Sequence, residues 1–179
     1  MKSDKAKVLH EICGRPMIHY VVEAAVNLAG PNVHVVVGHQ ADRVQAIVEK
    51  DHKVRFALQA EQLGTGHAVL CALPGLGPEI NDVIILCGDV PLIHCRTIEQ
   101  LVADHKTHQR HVTLFAVEVN EPTGYGRVLF DAERQLVAIV EEADASREQK
   151  AIRSINTGIY VVERTFLAAT LPELKADNA

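Results

Sequence analysis

The chain has 179 residues, of which 47% are hydrophobic and 4% aromatic, and its formal net charge is -5. This length and apolar content suffice for one domain with a substantial core. No apolar run reaches the roughly 18 residues of a membrane span, the first residues lack the apolar segment of a signal peptide, and scattered basic residues with few aromatics argue against a nucleic-acid partner. We therefore predict a cytoplasmic protein with no membrane span.

Cysteine and histidine spacing gives no metal signature. The four cysteines show no C-x-x-C pattern and two lie in apolar runs, which favours buried free thiols over disulfides or zinc. His105, His108 and His111 recur every three residues, which spreads them around a helix instead of directing them to one ion. We expect them to mark the solvated end of a helix.

Apolar periodicity predicts alternating helices and strands in the first two thirds of the chain. Pro16 begins an amphipathic helix that ends at Gly30. The later elements are expected to be a strand over 33–37, a helix over 41–50, a strand over 54–58, a helix over 64–73, a strand over 83–86, a helix over 96–108 and a strand over 112–119. The alternation predicts stacked β-α-β units.

The pattern changes after residue 120. Residues 127–130 and 136–140 predict a β-hairpin, residues 155–162 a further strand, and a short helix begins at Arg164. The opening segment is charged and has no periodicity. No strand with a phosphate-binding turn precedes the first helix.

The predicted strand over 83–86 is followed by Gly88 and then by the carboxylate of Asp89. Its apolar residues show no polar alternation, which is typical of a strand covered on both faces in a parallel sheet. Such sheets bind ligands at the carboxyl ends of their strands, and a hard oxygen anion suits Mg²⁺ and phosphate. The alternative is that Asp89 is a helix N-cap or turn residue.

Four short blocks contain the remaining motifs: LQAEQLGTGHA at 58–68, CGDVPL at 87–92, EPTGYGR at 121–127 and INTGIY at 155–160. Each alone has an ordinary explanation as a turn, loop or β-bulge. In this order, and with KVLHEICGRPM at 7–17, they resemble the uridylyltransferase (pyrophosphorylase) domain of bifunctional N-acetylglucosamine-1-phosphate uridylyltransferase / glucosamine-1-phosphate acetyltransferase. The resemblance covers nearly the whole chain.

The resemblance implies a doubly wound α/β fold with a mostly parallel sheet of the nucleotide-diphospho-sugar transferase (Rossmann-like) type, and an added β-hairpin for sugar binding. It also implies uridylyl transfer from UTP to N-acetylglucosamine-1-phosphate with Mg²⁺, giving UDP-N-acetylglucosamine for peptidoglycan and lipopolysaccharide synthesis. Residues 1–179 would be a partial nucleotidyltransferase domain, with a nucleotide-binding part over about 1–110 and a sugar-binding part over about 111–179.

The same resemblance implies roles for individual residues on the nucleotide side. Gln59 and the backbone of Gly64 and Thr65 would bind uracil, whose edge carries donors and acceptors. Lys7 would act in catalysis by meeting the phosphates as a point charge. The family usually has a proline immediately before this lysine, whereas this chain has Ala6.

The metal and the sugar would be held by the later blocks. By the resemblance, Cys87 and Gly88 flank the ribose, and Asp89 is the catalytic metal ligand. A carboxylate accepts hydroxyl hydrogens and an amide either donates or accepts, so the implied sugar-binding residues are Gly126, Glu141 and Asn156.

The implied chemistry needs no general base. The sugar phosphate oxygen is already anionic, so its attack on the α-phosphorus of UTP requires alignment and charge neutralisation. We therefore interpret His67, on the helix after Gly66, as a packing or capping residue.

The family also has segments that this sequence does not match. It begins with a strand and a signature loop resembling L-A-A-G-x-G-T-R-M, whose last residue coincides with Met1. A segment resembling Q-G-E-Y-Y-L-T-D, the asparagine that is the second Mg²⁺ ligand, and the β-helix acetyltransferase domain through which the family forms trimers would follow Ala179. The expectation is a chain truncated at both ends, with impaired activity.

Two alternatives stay open. One is a nucleotidyltransferase for another sugar-1-phosphate, such as a glucose-1-phosphate thymidylyltransferase, although the blocks at 59–66 and at Asn156 argue against it. The other is a non-catalytic module that binds nucleotide sugars. A dehydrogenase is disfavoured, because no predicted strand is followed by G-x-G-x-x-G.

Overall fold

The computed structural model describes residues 4–174. In chain order its helices and strands are β1 (Glu11–Ile12), β2 (Arg15–Pro16), α1 (Met17–Ala29), β3 (His34–Val37), α2 (Ala41–Val48), β4 (Arg55–Leu58), α3 (Thr65–Ala72), β5 (Asp82–Ile85), α4 (Cys95–Thr107), β6 (Val112–Glu118), β7 (Arg127–Phe130), β8 (Leu136–Val140), α5 (Arg147–Lys150), β9 (Ser154–Glu163) and α6 (Arg164–Thr170). Short 3-10 turns lie at Lys7–Leu9, Leu73–Gly75 and Leu171–Glu173.

The first half of the chain packs around a parallel strand pair. β3 and β4 run side by side, with Val35 opposite Phe56. The helices α1 and α2 bury their apolar stripes against this pair, as expected for helices whose apolar residues recur every three or four positions. The resulting core is formed by Leu9, Ile18, Val22, Val35, Val37, Val44 and Val48.

The second half forms a five-stranded antiparallel sheet centred on β9. β6 pairs with β9 along one edge, while β5 and β7 pair with opposite ends of its other edge, and β8 follows β7 as a hairpin. The register between β6 and β9 shifts between Phe115 and Ala116, which leaves Thr157 and Gly158 of β9 unpaired with β6. This bulge bends β9 beside the end of β5.

The predicted helices and strands are all present, with ends that differ by one or two residues. Two small features were not predicted: the β1–β2 hairpin in the charged opening segment, and α5, which begins with a capping box formed by Ser146 and Gln149. Both are too short to give a periodic signal.

The pairing of β5 differs from the prediction for that strand. Its four residues are half-buried, and it is antiparallel to β9 instead of lying in a parallel sheet covered on both faces. Within residues 4–174 the parallel pairing is that of β3 with β4. An apolar run shows that a strand is buried but does not identify its partner, which here comes about 75 residues later in the chain.

The cysteine and histidine predictions also need correction. All four cysteines are free, but Cys13 is exposed and the other three are only half-buried. His105 is 2% exposed, because α4 presses it against β5 and β6, where its Nδ1 lies 2.9 Å from Thr113 Oγ1 and its Nε2 lies 3.4 Å from Asp82 Oδ1. Only His108 and His111 are solvated as expected. Among the helices of residues 4–174, none has the length and apolar character needed to cross a membrane.

Candidate functional site

A cavity of about 350 Å³ lies where the loop after β5, the bulge of β9 and the loop before β7 meet. The carboxyl end of β5 carries Asp89 into it, and β9 contributes its bulge. Six of the residues predicted for the site line this cavity: Lys7, Cys87, Asp89, Gly126, Glu141 and Asn156.

The predicted base-binding residues lie elsewhere. Gln59, Gly64 and Thr65 are grouped where β4 ends and α3 begins, and they are not among the described residues that line the cavity. Gly88 is not among the residues that line the cavity, and a Cβ at this position would approach the side chains of Ile18 and Val8 to 3.0 and 3.2 Å.

Lys7 and Asp89 place opposite charges at the cavity. The ammonium group of Lys7 donates a hydrogen bond to Asp89 Oδ2 across 82 positions of sequence. The hydrogen bond and the negative charge of Asp89 raise the pKa of Lys7, so the lysine stays cationic. If a phosphate and a divalent cation bound together in the cavity, Lys7 could pair with the phosphate and Asp89 with the cation.

The thiol of Cys87 packs against the β9 bulge. Its Sγ donates to the carbonyl oxygen of Gly158 at 3.5 Å. Burial raises the pKa of this thiol, so it is protonated at neutral pH and is no nucleophile. Gly158 has a φ of 73°, and a Cβ there would lie 2.6 Å from Cys87 Sγ. Only glycine therefore fits at this wall of the cavity.

The residues predicted to bind the sugar adjoin one another. The N–H of Asn156 donates to the carbonyl of Gly126 at 2.8 Å. A Cβ on Gly126 would approach the carboxylate of Glu141 to 3.0 Å, so the absence of a side chain at Gly126 lets Glu141 reach the cavity. Three predicted residues that are well separated in sequence thus adjoin one another in the cavity wall.

Arg127 was not singled out in the sequence, yet it organises the loops behind this wall. It is 1% exposed, and its guanidinium donates to the carbonyl oxygens of Tyr125, Ile152 and Lys150. It also pairs with Glu142 at 2.7 Å and thereby lowers the pKa of that carboxyl group. The only sequence signal is a charged residue at the first position of an apolar strand, which a surface residue would give equally.

The carboxamide of Gln59 has a fixed orientation. Its Nε2 lies 3.0 Å from the carbonyl oxygen of Gly64 and 3.1 Å from His67 Nδ1. A carbonyl oxygen accepts only, so the amino group of Gln59 must face it. Among residues 4–174 no donor is bonded to Oε1, which is left for a ligand. His67 therefore contacts Gln59, as expected for a packing residue.

Two solved structures with the same fold are distant from this chain in sequence. HddC from Yersinia pseudotuberculosis aligns with a TM-score of 0.72 at 20% identity, over 100% of this chain and 75% of that protein. A putative glucose-1-phosphate thymidylyltransferase from Bacillus anthracis, solved in complex with sucrose, aligns with a TM-score of 0.76 at 19% identity, over 94% of this chain and 67% of that protein. Both confirm the predicted nucleotide-diphospho-sugar transferase type of fold.

Curated relatives are much closer in sequence. The protein named Bifunctional protein GlmU from Geotalea uraniireducens is 45% identical over 100% of this chain, and the one from Syntrophotalea carbinolica is 47% identical, again over 100% of it. The chain spans 39% and 38% of their lengths. Residues 2–178 match the Nucleotidyl transferase family. With this match over nearly its whole length, the chain belongs to the nucleotidyl transferase family.

Proposed function

We propose that this chain carries the cavity in which a uridylyl group passes from UTP to N-acetylglucosamine-1-phosphate, forming UDP-N-acetylglucosamine and pyrophosphate. The single observation that carries the proposal is that five residues from four separate motif blocks, together with Glu141, line one cavity. The similarity over the whole chain to two proteins named Bifunctional protein GlmU supports the same reaction.

The residue roles follow from charge and hydrogen-bonding capacity. Lys7 neutralises phosphate charge, and the free Oε1 of Gln59 accepts a hydrogen from a base that carries a ring N–H, as uracil does. Gly126, Glu141 and Asn156 bind the sugar. The reaction joins the sugar phosphate oxygen to the α-phosphorus as the bond to pyrophosphate breaks, so the side chains align charges instead of removing a proton.

A divalent cation fits the donor set. In the described part of the chain, no group of three His, Cys, Asp or Glu side chains could enclose a metal. Mg²⁺ is commonly held by one or two carboxylates together with substrate phosphates, and Asp89 offers one carboxylate at the cavity. When bound, Mg²⁺ would neutralise charge on the triphosphate.

The test combines binding with turnover. The chain is titrated calorimetrically with UTP and with UDP-N-acetylglucosamine in Mg²⁺, and pyrophosphate release from UTP is followed with N-acetylglucosamine-1-phosphate as acceptor. We expect saturable binding of both nucleotides and release that depends on the sugar phosphate. Asp89→Asn should keep the fold and lower turnover about 10²-fold or more, because a ligand anion is lost.

Three results would contradict the proposal. Binding without any turnover would favour a nucleotide-sugar binding module. Faster turnover with glucose-1-phosphate or dTTP would favour another nucleotidyltransferase. Normal rates for Asp89→Asn at low Mg²⁺ would remove Asp89 from the metal site.

A further inference from the structure

The side chain of Asn156 lines the cavity, and its carboxamide oxygen is already occupied by the protein. Its Oδ1 accepts a hydrogen bond from the backbone N–H of Gly158 at 3.1 Å and from the hydroxyl of Tyr160 at 2.9 Å. A backbone N–H can only donate, so the oxygen, and not the nitrogen, of the carboxamide must face Gly158.

The amino group of Asn156 is consequently left for the cavity. Within residues 4–174, no side chain or carbonyl accepts a hydrogen bond from Nδ2. An asparagine in general can donate or accept, but this one offers only its two N–H groups to a ligand.

Tyr160 reaches Asn156 because of the β9 bulge. In a regular strand, residues four positions apart are separated by about 13 Å. Gly158 between them has a positive φ, and the strand bends there. The ring of Tyr160 is half-buried against the cluster of Val162, Leu167 and Leu171, which restricts its direction. Burial raises the pKa of its hydroxyl, so the group keeps its proton at neutral pH.

We propose that Tyr160 is a positioning residue that, with the N–H of Gly158, locks the Asn156 carboxamide so that the cavity recognises a hydrogen-bond acceptor on the sugar phosphate. The inference rests on the proposed function for the nature of the ligand. An acetamido carbonyl, a hydroxyl oxygen and a phosphate oxygen share this acceptor chemistry.

The first experiment removes one oxygen. Tyr160→Phe keeps the ring and deletes the hydroxyl, and Tyr20→Phe is the matched control, because the Tyr20 hydroxyl donates to the carbonyl of Ile12 in the β1–β2 hairpin. We expect Tyr160→Phe to raise the Kd for UDP-N-acetylglucosamine about 2- to 10-fold, the range for one hydrogen bond, with the Kd for UTP unchanged. Tyr20→Phe should change neither constant.

A double-mutant cycle separates positioning from general packing. If Tyr160 acts through Asn156, Tyr160→Phe should have no further effect on binding in an Asn156→Ala background. Additive effects of the two substitutions would overturn the inference. A Tyr160→Phe chain with unchanged affinity would overturn it as well.

A polarity swap tests the acceptor directly. Asn156→Asp keeps the shape and both protein hydrogen bonds, but presents an oxygen to the ligand. It should weaken binding of N-acetylglucosamine more than Asn156→Ala does, and this neutral sugar avoids phosphate repulsion. Equal or tighter binding by Asn156→Asp would overturn the acetamido carbonyl as the acceptor, because a hydroxyl, unlike a carbonyl, can donate to the new carboxylate.

Comparison of substrates identifies the acceptor. If it is the acetamido carbonyl, Asn156→Ala should abolish the preference for UDP-N-acetylglucosamine over UDP-glucose. If it is a hydroxyl or phosphate oxygen, the substitution should weaken the binding of both ligands equally.

Binding by the wild-type chain distinguishes failure of this inference from failure of the proposed function. Wild-type binding with an unaffected Tyr160→Phe variant overturns this inference alone, whereas a wild-type chain that binds no sugar nucleotide overturns the proposed function as well.

Discussion

Gly158 meets two separate demands, a positive φ and the close approach of Cys87 Sγ. Gly158→Ala should therefore cost stability through both backbone strain and a steric clash, roughly 2–4 kcal/mol. Gly124→Ala is the matched control, because Gly124 also has a positive φ, of 86°, but no described atom lies within 4 Å of a Cβ placed there. It should cost only about 1–2 kcal/mol.

Urea unfolding of the two variants measures the difference. Replacing Cys87 by alanine as well should recover the part of the Gly158→Ala loss that comes from the clash. Equal losses for both glycine variants would show that the cavity wall is not tightly packed at this point.

The amide orientation of Gln59 gives a prediction about the nucleotide. Gln59→Glu replaces the amino group that donates to Gly64 and contacts His67 with a second oxygen, which the Gly64 carbonyl repels. We expect UTP affinity to fall about 10-fold or more, the effect of an unpaired polar group. The control, Gln62→Glu, adds the same charge three residues away on the exposed loop. Calorimetry with UTP compares them, and equal affinities would remove Gln59 from the nucleotide site.

At the residue scale, the sequence predicted the chemical groups better than the residues that orient them. Lys7, Asp89 and Asn156 belong to motifs whose order carries information, and the structure brings them to one cavity. Arg127 and Tyr160 act through hydrogen bonds to groups up to 25 positions away or across a bulge, and no local pattern encodes such contacts.

At the scale of elements, Arg127 joins the loop before β7 to the segment between β8 and β9. Arg127→Met keeps much of the apolar stem but leaves three carbonyl oxygens without their donor. We expect a loss of about 2–5 kcal/mol in unfolding free energy and weaker sugar-phosphate binding, since Tyr125 and Gly126 lose their support. Chemical unfolding and calorimetry measure the two effects.

Arg153→Met serves as the comparison, because Arg153 also bonds a backbone carbonyl but is exposed. It should cost less than about 1 kcal/mol. If Arg127→Met lowered the unfolding free energy no more than Arg153→Met does, the two segments would hold their positions without Arg127.

The packing of α1 against the turn after α2 predicts a pH dependence of stability. His19 on α1 is 4% exposed beside His52, and burial lowers its pKa although Asp51 at 3.5 Å opposes the shift. Arg15 lowers it further and Glu23 raises it. Above about pH 6.5 the ring is neutral in both folded and unfolded states. As the pH falls from there through the lowered folded pKa, the unfolded chain binds the proton first, so stability is lost.

Thermal unfolding between pH 5 and pH 8 checks this sign. Wild-type Tm should fall below about pH 6.5, and His19→Asn should flatten that part of the profile, with His34, whose pKa burial also lowers, accounting for a remaining slope. The exposed His39 provides the control substitution, His39→Asn. A Tm that rises on acidification would contradict a buried neutral His19.

The elements themselves were predictable because helices such as α1 carry a clear apolar stripe and strands such as β4 are bounded by polar residues. The pairing of the strands was less predictable. The antiparallel partner of β5 is β9, and only a contact between residues 82–85 and 160–163 settles that choice. Periodicity describes one segment at a time and contains no information about such distant pairs.

For the whole molecule, the cavity depends on both halves of the chain. Lys7 lies in the 3-10 turn that precedes the β3–β4 half, whereas Glu141 directly follows β8 and Asn156 lies on β9. Their convergence explains why sequence blocks that extend from Lys7 to Tyr160 had to be considered together. It also makes the cavity, and not any single motif, the central claim about function.

Mapping a bound nucleotide sugar tests that claim most directly. UDP-N-acetylglucosamine is titrated into isotopically labelled chain in the presence of Mg²⁺, and the backbone amide resonances are followed by NMR. We predict saturable shifts at Asp89, Gly126 and Asn156, with Tyr20 of α1, which does not line the cavity, unchanged. Saturable shifts confined to surfaces outside the cavity, or no shifts at millimolar ligand, would contradict the account.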